Sequence, residues 1–273
     1  MAEPKKKKII SADTGEEVAA GSKRKEPKPA APVGNATPLR IGAIVLWVLA
    51  IVFEVLGLLV IQGKLDMKFM PQMYQMILFL VLDLACVIIG SQLWKKANHI
   101  KPASEKNPFL FWLWNNMGVV VCCIAFVPFV ILLLTNKDVD KKTKTIGTVV
   151  AIIALLIGGA SSIDYNPVSA EQQEAAMEAI QDDVYWTRFG HVYHTHTDCQ
   201  ALNQSEELTY GTVEQAIAAN RTRLCAFCAK RDAITGVVTD DANTDGYVVE
   251  EQAADETAQE EVAETETESE EAA

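Results

Sequence analysis

The sequence predicts a membrane protein of four transmembrane helices followed by a small α+β domain, with disordered ends. The 273 residues combine a mean hydropathy of +0.11 with 22% charged residues, so apolar and charged residues must be segregated along the chain. Residues 240–273 hold 14 acidic residues and no basic one, whereas residues 1–40 hold nine basic and five acidic residues. This distribution excludes a single soluble globule.

The N-terminal segment, residues 1–40, is rich in Lys, Ala, Pro and Glu and has almost no apolar periodicity. Such a composition cannot bury enough apolar surface to offset the entropy of ordering, so we expect a disordered basic tail. The first apolar run begins only at Ile41 and is too long for the apolar region of a signal peptide.

Four apolar runs fill the predicted membrane region, residues 41–163. They cover residues 41–62, 71–94, 110–134 and 146–163. The first run would span about 33 Å as a helix, which is close to the thickness of the bilayer hydrocarbon. Lipid offers no partner for backbone N–H and C=O groups, so the runs should be helical. The fourth run is the shortest, and a buried soluble helix is the alternative for it.

Basic residues near the spans set the expected orientation in the cell membrane. With the N-terminus inside, residues 21–40 and 95–109 place nine Lys or Arg on the cytoplasmic side. Residues 63–70 and 135–145 place six on the opposite side. This bias predicts that both termini are cytoplasmic. The aromatic residues expected at the membrane interface are Trp94, Trp112 and Trp114.

The remainder of the chain divides into a linker, a module and a tail. Residues 164–182 should form a linker helix that begins at Ser169, which has capping-box spacing with Gln172. Residues 183–235 form a predicted folded module, with short strands at 184–187 and 192–195 and a helix at 212–220. Residues 236–273 are rich in Glu and Thr and are predicted to be a disordered acidic tail.

Potential metal ligands are concentrated in the module. The segment His191-Val-Tyr-His194-Thr-His196-Thr-Asp-Cys199 precedes the pair Cys225-Ala-Phe-Cys228. Two cysteines with this spacing can bind one ion from a tight turn, and a third cysteine with a histidine would complete a tetrahedron. Zinc suits thiolate and imidazole donors, and three cysteines with one histidine are typical of a closed, structural site.

A bound metal would also stabilise a module of this small size. A module of about 50 residues has too small a core for ample stability, and a bound ion supplies stability. A metal-free core, a disulfide and a catalytic Cys–His pair are the alternatives. The expected cytosolic location argues against the disulfide. The chain lacks a recognised catalytic signature, so we do not expect an enzyme.

This part of the sequence resembles the Ada-type zinc-binding modules. The matching features are Tyr193-His194, Cys199 with Leu202, the helix 212–220, and Cys225-x-x-Cys228. The resemblance covers about 50 residues and implies a small αβ fold that holds one zinc ion. The phosphotriester repair activity does not carry over, because the other parts of Ada proteins are absent from the sequence.

One departure from that pattern leaves the identity of the histidine ligand undecided. Four residues separate His194 from Cys199, where the pattern has three. The expected ligands are therefore His194, Cys199, Cys225 and Cys228, with His196 as the alternative to His194.

Two acidic residues, Glu54 and Asp83, lie inside predicted spans. A charge at the centre of a membrane helix costs about 2.5–3.5 kcal/mol on insertion scales, so such residues are functional candidates. They could share a proton or bind a cation. The favoured interpretation is two protonated carboxyl groups that are hydrogen-bonded to neighbouring helices, because four short spans without repeats are a poor match to a transporter.

Nucleic acid is not the expected partner of the module. Residues 183–235 hold five basic and six acidic residues, so the basic cluster at Arg221, Arg223, Lys230 and Arg231 gives no net positive footprint. We expect contacts with the lipid bilayer through the helices and with a protein partner through the module.

The sequence therefore predicts a multi-pass membrane protein that presents a cytoplasmic structural zinc module for partner binding or scaffolding. One alternative is a small transporter or channel-like protein that uses Glu54 and Asp83, which ion flux into liposomes would reveal. Another is a membrane-tethered metal or redox sensor, which would release zinc from its cysteines under mild peroxide.

Overall fold

The structure is a computed structural model of the chain, and it describes residues 7–18, 34–137 and 139–240. The predicted acidic tail, residues 236–273, lies outside the described residues from position 241 onward. The same holds for residues 1–6 and 19–33 of the predicted N-terminal tail. The first residues of the acidic tail are not disordered, because Val238 and Asp240 form backbone hydrogen bonds with Leu224 of the module. The apolar region and the predicted module fall almost entirely within the described ranges.

Within the described part of the chain, five helices run through the apolar region. They are α1 (Ala36–Ile61), α2 (Gln72–Ile100), α3 (Pro108–Asn115), α4 (Met117–Thr135) and α5 (Lys141–Ser162). Among the described residues, four of these, α1, α2, α4 and α5, are long and apolar enough to cross a membrane. The predicted set of four membrane-length apolar helices is confirmed to this extent.

Polar caps begin two of the helices before their apolar runs. The side chain of Asn35 accepts a hydrogen bond from the backbone N–H of Thr37, so α1 starts at Ala36 rather than at residue 41. Asp140 accepts from the N–H of Thr143 and starts α5 at Lys141 rather than at residue 146. Such caps satisfy N–H groups that have no partner within the helix. With 22 residues, α5 is about 33 Å long.

The third apolar run is two helices rather than the single predicted helix. Asn116 separates α3 from α4, and its φ of −105° and ψ of 20° depart from helical values. The side-chain amide of Asn116 donates to the carbonyl oxygen of Trp112, 2.9 Å away. At the same break, the carbonyl oxygen of Trp114 accepts hydrogen bonds from the side chains of Trp94 and Asn98 in α2. The interruption therefore lies where polar side chains bond to the backbone of the third run.

Small residues let the apolar helices approach one another closely. The hydroxyl of Ser162 in α5 donates to that of Ser91 in α2 at 2.9 Å, and both lie against Gly118 in α4. A side chain at Gly158 would lie 2.9 Å from the sulfur of Cys122, so this glycine is also required for close packing. Glycine and serine contacts of this kind are typical of helix interfaces in membranes.

The outward faces of these helices are strongly apolar. Large aliphatic side chains there are half exposed or more, among them Ile41 (57%), Val45 (60%), Ile124 (55%) and Leu156 (66%). A soluble monomer rarely exposes such a continuous apolar surface. The surface is therefore of the kind that lipid covers.

An aromatic cluster lies where α1, α2 and α3 meet. The ring of Trp94 lies 5.2 Å from that of Trp47 and 5.1 Å from that of Trp114. The guanidinium of Arg40 sits over Trp94 and Trp114, at 5.8 and 5.3 Å from their ring centroids. Trp112, by contrast, is 55% exposed. The cluster fixes the start of α1 to the last turns of α2 through cation–π contacts.

The module is built on a mixed sheet that has six strands among the described residues. They are β1 (Lys8–Ser11), β2 (Glu17–Val18), β3 (Val184–Trp186), β4 (Val192–His194), β5 (Glu207–Gly211) and β6 (Arg223–Leu224). The strand order is β2-β1-β5-β3-β4-β6. Strand β3 is antiparallel to β4 and β5, whereas β1 is parallel to β5 and β6 is parallel to β4.

Three helices complete the module. They are α6 (Ala170–Ala179), α7 (Val213–Ala218) and α8 (Ala226–Asp232). Ser169 and Thr212 form capping boxes with the glutamine three residues later and so fix the starts of α6 and α7. The predicted linker helix belongs to the module, because Ala176 and Ile180 are buried in the same apolar core as Trp186.

The N-terminal segment differs from its prediction where it is described. Residues 7–18 are not an isolated tail, because β1 pairs with β5 from Lys8 to Ser11, and Ile9 is only 4% exposed. The Nζ of Lys7 donates to the carbonyl oxygen of Thr197 at 2.6 Å. The alternation of Ile9 and Ser11 on the buried side is too short a pattern for the sequence to have indicated a strand.

Candidate metal centre

Four potential ligands come from three separate parts of the module. His194 is the last residue of β4, and Cys199 begins a single 3-10 turn over Gln200–Leu202. Cys225 follows β6 and caps the start of α8, and Cys228 lies in the first turn of that helix. The hairpin, the turn and the helix start thus deliver their side chains to one point.

The ligand atoms of these residues form a compact group. They all lie within 4.8 Å of one another, and all four residues are buried. The sulfurs of Cys199 and Cys225 are 3.8 Å apart, and the sulfur of Cys228 is 3.9 Å from Nδ1 of His194. Two thiolates at about 2.3 Å from a tetrahedral zinc ion would stand about 3.8 Å apart. The cluster can therefore hold a metal ion with little rearrangement.

The electrostatics of the cluster depend on whether a cation is bound. Burial raises the pKa of the Cys225 thiol to about 12, although the backbone N–H groups of Cys228 and Phe227 point at its sulfur and oppose the shift. A bound cation would reverse this balance, because it stabilises the thiolate directly. Backbone N–H groups that approach a cysteine sulfur also neutralise part of the negative charge that three thiolates bring to one ion.

The cluster is part of the hydrophobic core of the module. Cys199, Cys225 and Cys228 pack in the same buried group as Leu202, Leu208 and other apolar side chains. Tyr193 is completely buried next to His194 in sequence, and burial raises the pKa of its hydroxyl. An ion at this position would join the sheet to α8 in the middle of the core rather than at its surface.

His196, the alternative ligand, lies outside the cluster. Its Nε2 is 2.6 Å from Oδ1 of Asp232, and the hydroxyl of Thr195 donates to the other oxygen of that carboxylate. Nearby, Arg231 donates to Asp198 at 2.9 Å, and this hydrogen bond lowers the pKa of the exposed Asp198 carboxyl. These pairs connect the His194–Cys199 loop to the end of α8, so they support the ligands from outside.

Sequence reasoning missed the role of Asp232. It lies four residues after Cys228, so both side chains project from the same face of α8. His194, His196 and Cys199 lie in one short loop, so each of them is a plausible ligand from the sequence. The carboxylate that binds His196 belongs to Asp232, which is 36 residues further along the chain. The helical spacing to Cys228 was the available signal.

The basic side chains near the cysteines are largely engaged within the module. Arg221 donates to the carbonyl oxygens of Ala219, Thr187 and Arg188, and burial lowers the pKa of its guanidinium. Arg231 is paired with Asp198. These contacts fit the expectation that the basic cluster is not a nucleic-acid footprint, which stays a prediction.

The two acidic residues of the apolar runs lie on helices α1 and α2, which pack against each other. Glu54 in α1 is 8% exposed and Asp83 in α2 is fully buried. Neither carboxylate oxygen of Asp83 has a hydrogen-bond partner among the described residues. The expected hydrogen bonds from Asp83 to neighbouring helices are therefore not made, and the transport hypothesis stays a prediction.

No protein-family model, no curated protein and no solved structure matches the chain.

Proposed function

We propose that the chain is a multi-pass protein of the cell membrane that holds a zinc-organised module at the cytoplasmic face and presents it to a protein partner. The observation that carries this proposal is the direct attachment of the two parts. His99 near the end of α2 is hydrogen-bonded at 3.0 Å to Asp164, and both side chains are less than a tenth exposed. Ala170 at the start of α6 donates to the carbonyl oxygen of Ala103.

Zinc is the ion that this donor set favours. Three cysteines and one histidine are soft and borderline ligands, which suit zinc better than magnesium or calcium. The four protein ligands would fill a tetrahedral shell and leave no position for water or substrate. We therefore assign the ion a structural role, as expected for a small module whose apolar core is limited.

The pairing of the N-terminal strand supports the placement of both described ends of the chain on the same side of the membrane. An even number of crossings returns the chain to the side from which it started, and β1 pairs with β5 of the module on that side. The excess of basic residues in residues 21–40 and 95–109 favours the cytoplasmic side.

Single engineered cysteines test this orientation. In intact cells, a membrane-impermeant maleimide should label Lys64→Cys, in the loop between α1 and α2, but not Gln204→Cys in the module. Both residues are exposed. Gln204→Cys should react only after the membrane is permeabilised, and the unmodified chain gives the background of its own cysteines. Labelling of Gln204→Cys in intact cells would contradict the cytoplasmic placement.

Two aromatic side chains give the module a surface for a partner. Phe227, between the two cysteines at the start of α8, is 52% exposed, and Phe189 in the β3–β4 hairpin is 85% exposed. Exposed aromatic residues on a rigid support are frequent anchors of protein interfaces. An ion bound by Cys225 and Cys228 would fix the backbone that carries Phe227, so metal binding and partner binding should be coupled.

Photo-crosslinking in cells tests that coupling. A photoreactive phenylalanine at Phe227 should give discrete protein adducts, because the ring faces the proposed partner. The same adducts should disappear when Cys228→Ser is added. The photoreactive residue at Gln204, an exposed polar position of the same module, is the matched control. Equal adducts at both positions, or adducts that persist without Cys228, would refute an interaction surface organised by the ion.

A further inference from the structure

A cleft opens where the module meets the ends of the membrane helices. One wall is the last turns of α2, and the other is formed by residues 163–166 and by residues 218–220 after α7. The cleft has a volume of about 770 Å³. Several of its lining residues carry side-chain nitrogen atoms, among them Lys95, Lys96, His99 and His191.

The charges that line the cleft leave a surplus of positive groups. The carboxylate of Asp164 is already bonded to His99, and it interacts with the charge of Lys95. Lys95 also donates to the carbonyl oxygens of Ser161 and Ile163, at 2.8 and 3.3 Å, so it caps the end of α5. Lys96 is exposed and has no ion-pair partner among the described residues. Its ammonium group is thus available to an anion in the cleft.

The cleft is placed at the depth of lipid headgroups. Lys95 and Lys96 directly follow Trp94, where the apolar run of α2 ends, and Ser161 and Ile163 mark the end of α5. Basic side chains at this depth, between membrane helices, are typical of sites for anionic headgroups. A soluble anion would have to compete with the phosphates of the surrounding lipid, which are present at high local concentration.

We propose that this cleft binds the phosphate group of an anionic phospholipid, with Lys96 and His191 as the residues that contact it and Lys95 as a positioning residue. The inference rests on the proposed membrane embedding. His191 is exposed, and the side-chain amide of Asn166 lies 3.4 Å from its Nδ1, so the imidazole is held at the module side of the cleft. The bound lipid bridges helix α2 and the module, and it fixes the module to the membrane surface.

Lipid retention by the purified full-length protein tests the proposal. The protein is extracted in detergent with equal amounts of phosphatidylglycerol and phosphatidylcholine, and the lipids that remain bound are measured by mass spectrometry. The wild-type chain should retain phosphatidylglycerol preferentially. Lys96→Glu should lower that preference roughly fivefold or more, because one basic side chain near an anionic surface contributes about that factor.

Lys142→Glu is the matched control, because it makes the same charge change at another exposed lysine, at the opposite end of the bundle. It should keep the wild-type preference, and His191→Ala should lose part of it. Equal preference in Lys96→Glu and wild type would overturn the proposal, and so would inorganic phosphate that displaces the lipid completely. Resistance of the protein to carbonate extraction from membranes is measured separately. A protein that is released by carbonate contradicts the embedding itself, whereas an embedded protein without lipid preference contradicts only the cleft.

Discussion

Replacing Cys228 with serine should abolish metal binding and unfold the module while the helical bundle stays intact. Structural zinc contributes an apparent 10–16 kcal/mol, roughly, to the folding of small zinc domains. A domain is typically stable by only about 5–15 kcal/mol in total. Loss of the ion therefore removes a free energy comparable to the whole stability of the module. The vacated position would also be lined by a buried serine hydroxyl and uncompensated thiols.

The measurement is the zinc content of the full-length protein in detergent, together with amide hydrogen exchange. The wild-type chain should hold one zinc ion, and strands β4 and β5 should be protected from exchange. Cys228→Ser should lose both properties, as should wild type after treatment with a strong chelator. His196→Ala is the matched control, because His196 bonds to Asp232 outside the cluster, and it should keep its zinc. A chelated protein with unchanged protection in β4 and β5 would refute a structural metal.

Replacing Gly118 with alanine should destabilise the helical bundle by about 1–3 kcal/mol, which is the usual cost of overpacking a well-packed core. A Cβ atom at this position would lie 2.7 Å from Cβ of Ser91 and 3.1 Å from Cβ of Ser162. Both neighbours are short side chains attached to packed helices, so they cannot move aside. The hydrogen bond between the two serines would be strained as well.

The matched control is Gly159→Ala in α5. A Cβ atom there would meet no heavy atom within 4 Å, so the substitution should be neutral or slightly stabilising through helix propensity. Both variants are unfolded with a denaturing detergent, and the loss of helical circular dichroism is monitored. The difference in their free energies of unfolding is then compared. If both substitutions change the stability equally, the result would contradict close packing of α2, α4 and α5 at Gly118.

The sequence predicts the bundle better than the details of its helices. A run of apolar residues long enough to cross lipid has helix as its main solution, so the four membrane-length helices follow from composition and length. The ends depend on single polar residues. Asn35 and Asp140 lengthen two helices, and Asn116 interrupts a third. Hydropathy averages over such residues, which is why the predicted boundaries differ from the structure.

In the module, the sequence predicts local features but not contacts between distant segments. The hairpin and the capping boxes at Ser169 and Thr212 depend on near neighbours in sequence, and local patterns indicate them. The choice between His194 and His196 depends on Asp232, and the strand β1 depends on β5, which follows all the apolar helices in the sequence. Pairings between distant segments have no local signature, so the sequence could not decide them.

The parallel pairing of β1 with β5 also has a consequence for biosynthesis. The first strand leaves the ribosome before any membrane helix, and its partner at residues 207–211 emerges only after all of them. At about 5–20 residues per second, the interval is on the order of ten seconds or more. During this time Ile9 and Ile10 have no sheet to join. A nascent chain released before β5 is made would leave this apolar segment open to chaperones and proteases, so the segment is shielded only once residues 207–211 have been synthesised.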